Sequence, residues 1–387
     1  MLRALDKHGQ SILLYSQSKK HIELMRDNSY FCPSCREKVM IKAGPRMLPH
    51  YAHRPGSDCS VAKGGEGPYH ELGKLQLFSW LKHQGYEVEL ESYIPSIQQR
   101  PDILVKAKGK WIAIEYQCCR ISSEIIEKRT AGYRNEEIIP LWILGGNLLN
   151  RKKPQTLWLS PFEQLFFHQF HDQYPPSLFF YCSNARQFAV FQNPYLISTT
   201  QMLGSLSFLQ ASQSNLSSLI TPKRNMTPSF LCTYWLREKQ KLRKSPVGHS
   251  KNPNDIQFRQ WMYINRLHPS TLPAYAHLPV QSQFSLSPMP FVWQTRWLVD
   301  QLHPVQVGDS ISITSKQLSS QQKSFPLIHY TFEPLKEYAD LLCTLGVLEF
   351  QQEGRYKKLN EIPFPTNVPE ALRQDREVME KLSETFE

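Results

Sequence analysis

The stretch RPDILVKAKGKWIAIEYQ, residues 100–117, decides the fold. Its apolar side chains predict two strands over residues 103–107 and 111–118, and Lys108-Gly109-Lys110 between them fits a tight hairpin turn. The hairpin brings Asp102, at the start of one strand, beside Glu115, late in the next. Carboxylates held this close repel each other unless a divalent cation neutralises them, and oxygen ligands with water suit Mg²⁺ or Mn²⁺. The alternative is that both acids are edge residues facing solvent.

Periodicity on either side of the hairpin predicts the rest of this unit. Apolar residues at helical spacing favour a helix over residues 66–83, and alternation then favours a strand over 86–94. Ser122-Ser123 opens a second helix that runs to about residue 136, and residues 138–144 are typical of a buried strand. The predicted order is α-β-β-β-α-β, within a mixed α+β or α/β chain.

The two predicted helices carry polar residues spaced by four. Glu66, His70 and Lys74 lie on one stripe of the first helix and offer an acid, a general acid or base, and a cation. A solvated charge ladder that only supports the helix is the alternative. Arg129 and Tyr133 on the second helix either contact phosphates or form an ordinary surface pair.

A cysteine and histidine cluster precedes this unit. Its candidate ligands are Cys32, Cys35, His50, His53 and Cys59. Four of them can surround one structural Zn²⁺ in tetrahedral geometry, and we choose Cys32, Cys35, His53 and Cys59, with His50 as the alternative. The competing interpretation is a chance CxxC with ordinary surface histidines.

Composition bounds the classes of protein that remain. The chain has 387 residues, 41% of them hydrophobic, which excludes a disordered protein and suggests two or three domains. Lys and Arg number 45 against 34 acidic residues, so a polyanionic partner is favoured. No signal peptide and no apolar stretch of membrane-spanning length is found, so we expect a soluble, cytoplasmic protein without a membrane partner. In that reducing compartment, clustered cysteines indicate a metal.

We place domain boundaries at a Gly-rich joint and at a basic turn. The predicted domains are residues 1–62, a small zinc-binding β domain; 63–152, the α-β-β-β-α-β unit; and 153–387, a largely helical, basic region. Within the last region, residues 335–360 read as a helix followed by a basic hairpin, similar to a winged helix.

The last region also contains a basic run beside the aromatic residues Tyr234 and Trp235. The predicted nucleic-acid contacts are Arg237, Lys239, Lys241, Arg243 and Lys244. Aromatic side chains beside cations suit a single strand, whose bases stack and whose phosphates pair with the cations. The alternative is a solvated helix whose aromatic residues Phe230, Tyr234 and Trp235 pack into the core.

Taken in order, these motifs resemble a known family. Glu66, Pro101-Asp102 and Glu115-Tyr116-Gln117 on the order α-β-β-β-α-β are similar to the PD-(D/E)XK core of restriction-endonuclease-like enzymes. With the CPSC and HYAH motifs ahead of them, residues 20–145 resemble the CoiA competence-protein family. That resemblance implies a nuclease-like core that acts in recombination of incoming single-stranded DNA during natural transformation, with recombination proteins as further partners.

The resemblance also implies roles for the site residues. Asp102 and Glu115, with the carbonyl of Tyr116, would hold catalytic Mg²⁺ or Mn²⁺, and Glu66 would ligate it directly or through water. Gln117 stands where the usual pattern has a lysine, and a neutral amide orients water but supplies no charge. Lys74 or protonated His70 would restore a cation, so both are catalytic candidates.

Three functions remain open. The first is a metal-dependent DNA nuclease, endonuclease or exonuclease, acting on single-stranded or branched DNA. The second is a DNA-binding recombination mediator with an inactive core, which Gln117 favours. The third is a zinc-stabilised scaffold for a recombination protein. Many nucleases of this architecture act as dimers, which leaves a homodimer open.

Overall fold

The computed structural model describes residues 1–15, 17–44, 47–57, 59, 67–223, 226–244 and 253–386. In these ranges the strands form three sheets, of five, nine and three strands, with helices packed against them. The predicted mixed α+β class is therefore confirmed. None of the helices in these ranges combines the length and the apolar composition that crossing a membrane requires.

The N-terminal unit is an antiparallel sheet with one helix. Its elements are β1 (Arg3–Leu5), β2 (Ser11–Leu13), α1 (Lys19–Met25), β3 (Tyr30–Phe31), β4 (Lys38–Gly44) and β5 (Met47–Ala52). The strand order is β2-β1-β3-β4-β5. A small buried cluster fills this unit, and two of its members are Cys32 and Cys59.

The central unit has the predicted order α-β-β-β-α-β. Its elements are α2 (Pro68–His83), β6 (Glu87–Leu90), β7 (Ile103–Ala107), β8 (Lys110–Gln117), α3 (Ser123–Asn135) and β9 (Ile139–Gly145). Lys108 and Gly109 have φ of 49° and 78°, the left-handed conformation that a two-residue hairpin turn needs. β9 lies parallel to β8 because α3 returns the chain to the same end of the sheet.

Alternation along β7 and β8 divides the side chains between the two faces. Ile103 and Tyr116 belong to the buried cluster beneath α2, whereas Leu104 and Ala113 pack with Tyr133 of α3. Glu115 shares the face of Ala113 because strand residues two apart point the same way. The alternation therefore directs Glu115 towards α3, whereas Asp102 precedes the first residue of β7 and contacts side chains of α2.

The sheet continues beyond Lys152, which corrects our expectation of a largely helical region from residue 153. The added elements are β10 (Arg151–Lys153), β11 (Thr156–Trp158), α4 (Pro161–Gln164), β12 (Ser177–Cys182), β13 (Gln187–Leu196) and β14 (Gln201–Gln210). The order across the sheet is β10-β11-β14-β13-β12-β9-β8-β7-β6. Most of β12 is buried because it lies between β9 and β13, so its apolar run lacks the alternation that identifies a strand in sequence.

The remaining chain is mostly helical. Its elements are α5 (Leu216–Ile220), α6 (Pro228–Lys244), α7 (Pro253–Ile264), α8 (Pro290–Trp297), β15 (Ser310–Ser312), α9 (Pro334–Thr344), β16 (Leu348–Gln352), β17 (Arg355–Lys358) and α10 (Val368–Phe386). The helix α9 followed by the β16–β17 hairpin is the arrangement expected for residues 335–360, and β15 adds a third strand. The largest buried cluster joins α6, α9 and α10 to Leu203 of β14.

Candidate active site and metal centre

Asp102 and Glu115 lie at one end of the β7–β8 hairpin. Ile103 pairs with Ile114, so the residues one step beyond, Asp102 and Glu115, lie opposite each other. The backbone N–H of Tyr116 donates to Asp102 Oδ2 at 2.9 Å and fixes this carboxylate at the end of the strand. The two acids are therefore neighbours across the open end of the hairpin, and we call them the acid pair.

Helix α2 brings two of its polar side chains to Asp102. A Cβ on Gly73 would stand 2.2 Å from the Tyr116 ring, so only glycine lets α2 approach β8 this closely. His70 Nε2 lies 3.4 Å from Asp102 Oδ2, and Lys74 Nζ lies 3.6 Å from Asp102 Oδ1. The His70 ring also stacks on Tyr116, with ring centroids 5.6 Å apart. Glu66, the third residue of the predicted stripe, lies outside the described residues.

Helix α3 meets Glu115 from the other face of the sheet. Arg129 Nη2 and the Tyr133 hydroxyl both donate to Glu115 Oε1, and Arg129 Nε donates to the same oxygen at 3.2 Å. A second bond from Arg129 Nη2 reaches the carbonyl of Arg100 at 3.0 Å. Arg129 and Tyr133 were predicted to contact phosphates or to form a surface pair, and here they hold an acid of the site.

The pKa values of the two acids are shifted by different surroundings. Burial opposes ionisation of Asp102, but the charges of His70 and Lys74 outweigh it and hold its pKa well below the usual range. Burial raises the pKa of Glu115 above its ordinary value, although Arg129 acts against the rise, and the nearby Asp102 charge adds to it. The pKa values of the two carboxyl groups are thus shifted in opposite directions.

The side-chain amide of Gln117 contacts Cys119, two residues further along the chain. Its Nε2 donates to the carbonyl of Cys119 at 2.6 Å and lies 3.5 Å from Cys119 Sγ. The ammonium group beside Asp102 is that of Lys74, whose side chain is fully buried.

Sequence reasoning missed Glu91. Its Oε1 accepts from Lys74 Nζ at 2.6 Å, and its Oε2 accepts from the backbone N–H groups of Leu2, at 2.7 Å, and Arg3, at 3.2 Å. A φ of 49° turns this residue out of the extended path just after β6. The alternation of residues 86–94 gave no sign of this turn, and the partners come from the N-terminal strand, far away in sequence.

The predicted zinc ligands converge in the N-terminal unit. The ligand atoms of Cys32, Cys35, His53 and Cys59 all lie within 4.8 Å of one another. Cys32 Sγ is 4.0 Å from Cys59 Sγ, and Cys35 Sγ is 3.3 Å from His53 Nε2. Zn–S bonds of about 2.3 Å in a tetrahedron require S···S edges of about 3.8 Å, so this set fits Zn²⁺.

His50, the alternative ligand, is directed elsewhere. Its Nδ1 lies 3.0 Å from the carbonyl of Leu48 and 3.8 Å from Glu71 Oε1 on α2. In the part of the chain that the structure describes, the cysteine and histidine set is the one group of three or more such ligand atoms. The acid pair offers two carboxylates, which is the number that Mg²⁺ commonly takes from a protein that leaves its other positions to water and phosphate.

The basic run on α6 divides into buried and exposed cations. Arg243 donates to both oxygens of Asp375, at 3.0 and 2.8 Å, and Lys239 Nζ lies 3.3 Å from Asp375 Oδ1. Both cations are buried, so we withdraw Lys239 and Arg243 from the predicted nucleic-acid contacts. Arg237, Lys241 and Lys244 are exposed. The core packing that was the alternative holds for Trp235, which is fully buried, but not for Phe230, which is 42% exposed.

Comparison with known proteins finds similarity to one protein family along most of the chain. Three family models match, described as the N-terminal domain (residues 14–62), the nuclease-like domain (66–224) and the C-terminal domain (231–372) of competence protein CoiA. The chain is similar to competence protein CoiA of Bacillus subtilis strain 168, at 29% identity over 358 residues, which cover 89% of this chain and 92% of that protein. No solved structure matches.

Proposed function

This chain belongs to the CoiA competence-protein family, and from that premise we propose that it hydrolyses phosphodiester bonds of DNA with Mg²⁺ or Mn²⁺ during natural competence. The observation that carries the proposal is the acid pair: two carboxylates lie opposite each other at a hairpin end, with His70 and Lys74 beside them. The nuclease-like match supports the reaction class. The substrate is single-stranded or branched DNA taken up by the cell.

Asp102 and Glu115 would hold the metal ion. Such an ion, when bound, supplies Lewis-acid stabilisation of phosphate charge and lowers the pKa of its bound water. Asp102 keeps its charge because His70 and Lys74 face it. Glu115 is positioned by Arg129 and Tyr133, which hold its Oε1 from α3.

Lys74 supplies the cation that Gln117 lacks. Its ammonium group lies 3.6 Å from Asp102 and is buried, where a charge acts more strongly than in water. His70 Nε2 lies at the same carboxylate and can hold a proton beside the reacting phosphate. The helix therefore takes the role that the strand residue has in the usual pattern.

A second candidate is a DNA-binding mediator that does not cut. Its support is that protein cations already compensate the acid pair: Lys74 lies by Asp102, and Arg129 lies by Glu115. Two carboxylates that are already neutralised by protein cations are stable without a metal ion. Their presence alone is therefore no evidence that the site is catalytic.

Cleavage assays distinguish the two candidates. Labelled single-stranded, duplex and branched DNA would be incubated with purified protein and Mg²⁺, Mn²⁺ or no added metal. We expect metal-dependent cutting that falls at least about a hundredfold in Asp102→Asn and in Glu115→Gln, as loss of one charge-stabilising group commonly does. DNA binding should persist or strengthen in both variants, because negative charge is removed.

The matched control is Glu87→Gln, an exposed acid on the neighbouring strand β6. It should cut at the native rate. Cutting at the native rate by the Asp102 and Glu115 variants would reject the site, and binding without any cutting would favour the mediator.

A further inference from the structure

The outward face of α6 carries a stripe of aromatic and basic side chains that the acid pair does not use. The members of this α6 stripe are Phe230, Tyr234, Arg237, Lys241 and Lys244. They recur at spacings of four and three residues, so they lie on one line along the helix. All are exposed except Tyr234, which is half-buried. The aromatic residues occupy the N-terminal end of the stripe and the cations the C-terminal end.

The opposite side of α6 anchors the helix. Trp235 is fully buried and donates its indole N–H to the carbonyl of His277 at 2.7 Å. Lys239 and Arg243 bind Asp375 of α10. The α6 stripe is therefore presented by a fixed helix, and little ordering of the backbone is needed for a ligand to use it.

The edge strand β10 extends the stripe. Lys153 Nζ lies 5.9 Å from the centre of the Tyr234 ring, and Thr156 Oγ1 of β11 lies 3.4 Å from the Tyr234 hydroxyl. Arg151, Lys152 and Lys153 are all exposed. The edge of the nine-stranded sheet and the α6 stripe thus form one surface.

This surface combines stacking faces with a strong positive charge. Phe230 is 42% exposed, and Trp158, on the same face of β11 as Thr156, is 44% exposed. The exposed cations of this surface are Arg151, Lys152, Lys153, Arg237, Lys241 and Lys244. The nearest acid on α6 is Glu238, which pairs with Lys241 at 2.5 Å.

We propose that the α6 stripe and β10 bind single-stranded DNA at a site separate from the acid pair. Bases of a single strand stack on exposed aromatic rings, and the phosphates pair with the flanking cations. A duplex hides its base faces, so it gains only the charge contribution. The choice of DNA as the occupant rests on the proposed function, whereas single-strandedness rests on the aromatic residues.

The separation from the acid pair follows from the order of the strands. Six inter-strand steps separate β10 from β8. At about 4.8 Å for each step, the surface lies about 29 Å from the acid pair across the sheet. A strand held on β10 and α6 would keep its further nucleotides near the acid pair at a raised effective concentration.

The test measures binding of an oligothymidine in buffer without Mg²⁺ or Mn²⁺. The variant R237Q/K241Q/K244Q should weaken binding and reduce the slope of log affinity against log salt by about 2, at about 0.7 for each lost phosphate contact. Phe230→Ala should weaken binding at least about fivefold through lost stacking. The pair K152Q/K153Q, on a different element, should act in the same direction.

The controls match these changes elsewhere on the surface. K336Q/R373Q/R376Q removes the same charge from α9 and α10, and Tyr263→Ala removes an exposed ring from α7. Both should leave the salt slope and the affinity close to native. Equal losses in the test and control triples would overturn the proposal, as would a Phe230 variant that binds normally. In the latter case the surface attracts DNA by charge alone and does not stack its bases.

Cleavage and binding are scored separately, so the two proposals can fail independently. Native protein that cuts DNA, with α6-stripe variants that bind as it does, would reject only this surface. Native protein that cuts nothing, with stripe variants that lose single-strand binding, would reject only the hydrolytic function.

Discussion

The zinc-ligand set and the acid pair both gather metal-ligand side chains, but their charges are balanced in different ways. Around Cys35, burial raises the thiol pKa to about 12, and the neighbouring Cys59 and Cys32 add to the rise. A bound cation is what converts such thiols to thiolates. The acid pair instead has its own cations, Lys74 and Arg129, within ion-pair distance.

This contrast predicts different roles for a metal ion at the two places, one in folding and the other in the proposed chemistry. The zinc-ligand set lies inside a small unit whose strands are short, so a bound ion would supply a large share of its stability. The acid pair lies on a nine-stranded sheet with large buried clusters, so we expect this sheet to stay folded without an ion. Removal of metal should therefore unfold the N-terminal unit. The sheet that carries the acid pair should stay folded and lose only its cutting activity.

The largest expected effect is that of zinc removal or of Cys32→Ser. Structural zinc sites contribute apparent free energies of about 10–16 kcal/mol at neutral pH, so the N-terminal unit should lose its structure. Hydrogen exchange would show lost protection in residues 1–59 and retained protection in β7, β8 and β9. Metal analysis of the native protein should find about one zinc per chain.

His50→Ala is the control for this experiment, since His50 faces Glu71 of α2 and does not belong to the zinc-ligand set. It should retain zinc. Native protein without zinc, or unchanged exchange in Cys32→Ser, would contradict the assignment.

The next effect tests the acid pair's own cations. Glu91→Gln leaves the Lys74 charge buried with one fewer anion, and breaking a buried ion pair typically costs about 3–5 kcal/mol. Urea unfolding of the variant should show a free energy of unfolding lower by that amount. Glu89→Gln, a more exposed acid two residues earlier, should stay within about 0.5 kcal/mol of native. A Glu91 variant as stable as its control would mean that Lys74 does not depend on this partner.

The smallest expected effect concerns the pKa of Glu115, which differs from that of Asp102 in the direction of its shift. Arg129→Gln removes the cation beside Glu115, so the pKa of Glu115, already raised by burial, should rise further. Because the ionised carboxylate binds metal, the acidic limb of the cutting rate should move to higher pH by the same interval. Carboxyl NMR measures the pKa even if no cutting is found.

Lys128→Gln makes the same charge change one residue away, at an exposed position on α3. Its Glu115 pKa should remain close to native. A shift in Lys128→Gln as large as that in Arg129→Gln would show that the contact of Arg129 with Glu115 has no specific role.

Local patterns in the sequence predicted the parts of the molecule that short segments determine. The hairpin of β7 and β8 follows from alternation and from one turn, and the zinc-ligand set follows from ligand types at close spacing. The central order of elements was predicted because each helix and strand carries its own period.

Features that depend on distant segments were not predictable. Glu91 acquires its role from the amides of Leu2 and Arg3 and from a left-handed backbone turn. Arg243 is buried because Asp375 lies against it, 132 residues away in sequence. Neither partner has a local signature, so in sequence Glu91 resembles an ordinary strand residue and Arg243 an ordinary surface cation.

The twist of the nine-stranded sheet matters for any polymer that lies along β10 at one point and along β8 at another. Neighbouring strands rotate by about 20–25° with a fixed hand, so across the six steps from β8 the edge strand β10 points about 120–150° away. A DNA duplex, with a persistence length of about 150 base pairs, resists such a turn over about 29 Å. A single strand follows it at little elastic cost. For DNA bound along both strands, the twist of the sheet would therefore favour a single strand over a duplex.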